Sequence, residues 1–154
     1  LPQTRPPVFT VNTSMFLLTQ KQISMASEFA SHLGLAFQIR DDIFDYFKEM
    51  NIGKPTGNDI REGKVTLPLL YALRTASSKE LSDYYVKVIQ NKEFSAENIE
   101  ALIAFAKANG GIEYAESRMK EYRDKAVEVL MTMPESDARE SLIQLANYII
   151  ERQK

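Results

Sequence analysis

A chain of 154 residues, 44% hydrophobic and 26% charged, has the length and composition of one domain with a buried core. Its 19 basic and 21 acidic residues leave a net charge of −2, without the basic excess of a nucleic-acid-binding surface. Cysteine is absent, which excludes a disulfide framework and thiolate chemistry and fits a reducing cytoplasm.

Residues 1–20 are set apart by Pro2, Pro6 and Pro7, which disfavour a helix and push Arg5 towards extended geometry. They read as an irregular N-terminal segment. The apolar run Met15-Phe16-Leu17-Leu18 falls far short of the roughly 18 to 20 residues that cross a bilayer, and it lacks the layout of a signal peptide. No transmembrane segment is expected.

Residues 21–154 read as helical throughout. Ile23, Ala26, Ala30, Leu33, Ala36 and Phe37 recur at three- and four-residue steps, and the pattern runs on through Ile43, Phe44 and Phe47 to about Lys48. Asn51 to Gly63 is rich in turn formers and reads as a loop. Helical pattern resumes near Leu67, with Pro68 in the first turn. Further helices are expected from Ser78 to about Gln90, from Ser95 to Gly110, and from Ile112 to about Met133. Pro134 blocks that last one. A final helix begins at Glu135 or Ser136 and turns Leu142, Leu145, Ala146, Ile149 and Ile150 inward. With no strand alternation and no internal repeat, the fold class is all-α, a helical bundle.

The chemistry concentrates in Phe37-Gln38-Ile39-Arg40-Asp41-Asp42-Ile43-Phe44-Asp45-Tyr46. Asp41 and Asp45 are four apart and Asp42 and Asp45 three apart, which places the acids on one helix face with Gln38 a turn earlier. Carboxylates grouped in this way repel one another unless a cation lies among them, and an all-oxygen set suits magnesium shared with phosphates. A solvated acidic face is the other reading of this spacing. The surrounding Phe37, Ile39, Ile43, Phe44 and Phe47 argue for burial, where unpaired charge is costly.

Asn51 to Lys64 follows directly and sets Lys54 and Lys64 among flexible glycines. The loop could bring two ammonium groups to a diphosphate, or it could be a polar surface connector. It is not a P-loop: five residues separate Gly57 from Gly63, and Val65 stands where serine or threonine is required. His32, the single histidine, reads as structural.

Taken together, FQIRDDIFDY, GKPTGNDIREGK and TLPLLYAL resemble the trans-isoprenyl diphosphate synthases (the polyprenyl synthetase family) in their long-chain branch. The specific match covers about Gly34 to Leu73, and the chain resembles a C-terminal portion of that isoprenoid synthase fold. The resemblance implies condensation of an allylic diphosphate with isopentenyl diphosphate, with Mg2+ as cofactor. The second aspartate-rich motif falls on Asp41, Asp42 and Asp45, with Asp59 supporting the metal site. Phe37 and Gln38 match the pair before the motif and would bind substrate. Lys54 and Lys64 match the diphosphate-binding lysines, so Asp41, Asp42 and Lys54 are the expected catalytic residues. The family is usually homodimeric.

The first aspartate-rich motif and the Lys-Thr pair that precede these elements in the family have no counterpart here. The chain is therefore expected to be inactive alone, as a fragment or truncated product. Otherwise it is a non-catalytic helical subunit that pairs with a complete synthase. Without diphosphate binding, it would be a plain helical domain.

Overall fold

The computed structural model describes residues 19–48 and 55–151. The proline-rich head up to Leu18, Lys54 and the terminal Arg152 to Lys154 lie outside the described residues. Among the described residues seven α-helices follow in chain order: α1 (Gln20–Phe44), α2 (Asn58–Arg61), α3 (Leu67–Thr75), α4 (Lys79–Gln90), α5 (Ala96–Ala108), α6 (Gly111–Met131) and α7 (Asp137–Glu151). Among the described residues there is no strand, and no helix is long and apolar enough to cross a membrane.

Local chemistry explains most of the boundaries. Thr19 opens α1 with a capping box: its hydroxyl accepts the Gln22 N–H at 3.2 Å while the Gln22 side chain accepts the Thr19 N–H at 2.8 Å. Ser78 and Ser95 cap α4 and α5 through the N–H groups of Leu81 and Asn98. Pro68 occupies the first turn of α3, where its missing N–H costs nothing. Gly110, in the left-handed region at φ 71°, reverses the chain between α5 and α6.

The core is built chiefly by α1 laid along α6, with α3 and α5 closing one side and α7 lying against α6 and α1. Ala36, Ile39 and Ile43 of α1, Leu69 and Ala72 of α3, Leu102 and Ala106 of α5, and Ala115 and Met119 of α6 are buried together. Each large aliphatic side chain so buried contributes about 1.5–3 kcal/mol.

Four sequence expectations are corrected, one of them on α7, where Leu145 is 45% exposed rather than turned inward. The first helix was expected to reach Lys48 but ends at Phe44. Beyond it Tyr46 and Phe47 bond three residues back, to Ile43 and Phe44, and tighten the chain into a turn. The Asn51 to Gly63 loop contains the short helix α2. The apolar residues Ile23, Ala26, Ala30 and Phe37 face outward, because the side of α1 that meets α6 is the one carrying Ala36, Ile39, Arg40 and Ile43.

Tyr46 is 1% exposed and its hydroxyl lies 2.9 Å from that of Thr66. Burial pushes its phenol up to about 12 from an ordinary value of 10.0. Because the folded value is raised, the contribution is intact below pH 10.0 and is lost as pH rises through about 12. The loss amounts to roughly 3 kcal/mol for a shift of this size. Tyr46→Phe should be less stable than the parent at pH 8, having lost the Thr66 hydrogen bond. The gap should close or reverse above pH 11 in urea-denaturation curves. A constant gap between pH 8 and pH 11.5 would refute the assignment.

Candidate functional site

The end of α1 and the start of α2 face each other across a cavity of about 310 Å³ lined by Gln38, Asp41, Asp42, Phe44, Asp45, Asn58 and Asp59. Four carboxylates and two carboxamides thus meet at one place. Asp41, Asp42 and Gln38 come from one face of α1, as the three- and four-residue spacing requires. Asp59 arrives from α2.

Asp45 is what brings α2 there. Its Oδ1 accepts the Asn58 N–H and its Oδ2 the Asp59 N–H, each at 3.0 Å, and its backbone carbonyl accepts the Gly57 N–H at 2.9 Å. Gly57 offers α2 no side-chain cap, so the carboxylate that does so comes from 13 residues earlier in the chain. Gly57 has φ 74°, and a Cβ there would stand 2.5 Å from Ile99 Cγ2, so glycine alone fits this turn against α5.

The acids differ in surroundings. Burial raises the Asp42 carboxyl above its ordinary value; the hydrogen bond from Gln38 Nε2, 2.9 Å long, opposes this, and the charges of Asp59, Asp41 and Asp45 add to it. Burial likewise raises Asp45 against the lowering effect of its two backbone bonds. Asp41 is more open and meets an Arg40 Nη at 3.2 Å.

Of the other residues expected at the site, Lys64 is at the rim. Its ammonium lies 3.4 Å from Asp59 and 2.7 Å from Glu62. Phe37 is 43% exposed and sits beneath the Arg40 guanidinium rather than in the cavity wall, where Phe44 stands instead. Asn58 and Phe44 were not anticipated as lining residues. The position of Phe44, two after Asp42 and within the helix's final turn, was the available signal. Asn58 had none, because its placement depends on the remote cap.

A larger cavity of about 700 Å³ lies on the other side of this turn, lined by Tyr46, Lys48, Arg61, Ile99 and Lys107. Its described lining carries one carboxylate, Glu100, so of these two cavities the smaller, acid-rich one has the chemistry that suits a cation.

The sequence model of the polyprenyl synthetase family matches residues 8–105. The chain belongs to that family. It is 33% identical over 135 residues to the octaprenyl diphosphate synthase of Haemophilus influenzae, covering 87% of this chain and 40% of that one. It is 38% identical over 125 residues to heptaprenyl diphosphate synthase component 2 of Bacillus subtilis, covering 80% and 34%. The crystal structure of a polyprenyl synthase from Caulobacter crescentus, complexed with calcium and isoprenyl diphosphate, superposes with a TM-score of 0.78. It is 30% identical and covers 89% of this chain and 42% of that one. The chain therefore spans about a third to two fifths of the length of these three relatives.

Among the described residues no three acidic or histidine side chains converge closely enough to enclose a cation alone. The donor set nevertheless fits one. Hard oxygens, partial burial and mutual repulsion at Asp42 are conditions that a divalent cation relieves, with its remaining positions left for water or phosphate oxygens.

Proposed function

We propose that this chain serves prenyl chain elongation, the condensation of an allylic diphosphate with isopentenyl diphosphate, by supplying the second aspartate-rich motif of that site. The observation that carries the reading is the convergence of Asp41, Asp42, Asp45, Asp59 and Gln38 on one cavity in a chain of this family. A bound divalent cation, Mg2+ in this reading, would supply positive charge to a leaving diphosphate. Asp41 and Asp42 would hold it, and Asp45 and Asp59 would hold its water. The calcium and isoprenyl diphosphate named with the Caulobacter relative support the pairing of a divalent cation with a diphosphate.

The chain's own residues then have distinct tasks. Gln38 fixes Asp42 by its amide. Lys64, and Lys54 beyond the described residues, offer ammonium groups to the diphosphate oxygens and counter the charge that grows on them as the allylic carbon–oxygen bond breaks. Phe37 flanks the site. Isopentenyl diphosphate attacks the resulting allylic cation, and the released diphosphate takes the proton, so no protein nucleophile is called for. The work is done in the cytoplasm, by a homodimer.

A second reading is a helical subunit that pairs with a complete synthase. The Bacillus relative, named as a component, favours keeping it open. In either case the pure chain is expected not to elongate a prenyl diphosphate by itself.

Calorimetric titration with a non-hydrolysable allylic diphosphate analogue tests the site. Magnesium-dependent binding is expected, at least about tenfold weaker in Asp41→Ala, the loss of one charged ligand. Equal binding by parent and variant, or none by either, would sink this reading of the cavity.

A further inference from the structure

Arg40 lies on the core-facing side of α1 and is 9% exposed. One Nη donates to the backbone carbonyl of Ile149, 109 residues away, and the other to Asp41 Oδ1 at 3.2 Å. Its Cζ is 4.6 Å from the centre of the Phe37 ring and 5.2 Å from that of Phe44. These rings sit three residues before and four after it, so the helix brings both to the same side chain. The Ile149 carbonyl belongs to the last described turn of α7, where positive charge is favourable.

A cation so placed needs compensation, and it takes it from two elements at once. The rigid planar fork of arginine can reach two acceptors in fixed directions; a lysine ammonium presents a single point. Asp41 itself has a 44% exposed side chain. Its Arg40 bond ties that carboxylate to a group which is itself tied to α7.

We propose that Arg40 is a positioning residue: it holds the Asp41 carboxylate in one orientation against the seated end of α7, so that docking of the last helix and order at the acidic cavity are coupled. This rests on the reading of Asp41 as a diphosphate-site residue. A merely structural Arg40 would cap α7 and leave Asp41 indifferent to it.

Nuclear magnetic resonance of the labelled full chain decides between them. Hindered rotation of the guanidinium should give separate Arg40 Nη–H signals. Asp41→Ala should merge them and shift the Ile149 carbonyl resonance. Arg40→Lys should bind inorganic diphosphate with Mg2+ about tenfold more weakly than the parent, the worth of one hydrogen bond to a charged group. Merged signals in the parent, an Ile149 resonance indifferent to Asp41→Ala, or parental affinity in Arg40→Lys would each overturn the proposal. Separate signals that depend on Asp41, in a parent chain that binds no diphosphate, would uphold the strut and reject the diphosphate reading. The parent and Asp41→Ala spectra suffice even if Arg40→Lys fails to fold.

Discussion

Gly111→Ala is expected to destabilise the chain by about 3 kcal/mol or more. A Cβ at Gly111 would stand 2.2 Å from the Pro68 carbonyl oxygen and 2.8 Å from that of Ala106. Both are backbone atoms inside helices, so neither can move aside as a side chain would. Relief would require α6 to back away from α3, and with it the Tyr71 and Tyr114 rings, now stacked 4.1 Å apart. The opposite case lies within α1. A Cβ at Gly34 meets nothing within 4 Å, and Gly34→Ala should stabilise the chain by about 0.5–1 kcal/mol through helix propensity alone. Urea midpoints followed by circular dichroism measure both. Similar midpoints for the two variants would show that α6 does not approach α3 as closely as described.

Asp45→Ala should cost stability and function together. Two backbone N–H groups at the start of α2 would lose a carboxylate acceptor, at about 1.5–3 kcal/mol for each such bond. Asp45→Asn keeps one oxygen but turns an NH2 group towards an N–H, so it should fall between alanine and the parent. With α2 released, Asp59 and Asn58 leave the cavity wall. Magnesium-dependent binding of the diphosphate analogue should then weaken at least tenfold, the equivalent of about 1.4 kcal/mol. Amide hydrogen exchange at Asn58 and Asp59 reads the loop directly. Both amides should exchange at least tenfold faster in Asp45→Ala, and unchanged protection would show that the cap does not hold α2.

The same residue marks the limit of what spacing conveys. Asp41, Asp42 and Asp45 appear in the sequence as three equivalent acids on one helix face. For Asp41 and Asp42 that holds, because both remain within the regular turn of α1. At Asp45 the helix has ended, and its carboxylate faces the backbone of α2 while still bordering the cavity. No periodicity in residues 20–48 could announce this, since the partner amides follow a turn that depends on Gly57 fitting against Ile99.

The sequence by itself determined the all-α class, nearly all helix starts and the nature of the acidic cluster. These follow from short-range causes: capping serines and a threonine, proline and glycine at element ends, and apolar repeats at helical steps. Its GKPTGND loop and aspartate-rich run were enough to point to the polyprenyl synthetase family. What only the tertiary structure decided was which side of α1 is inside, where Phe37 and Phe44 stand, and why α2 exists. It alone disclosed that Arg40 joins the site to the far end of the chain. In α1 both helix faces carry apolar residues, so the pattern along it is ambiguous until α6 occupies one of them. The Arg40 link and the Asp45 cap join groups distant in sequence, and such contacts form only when the packed helices bring donor and acceptor together.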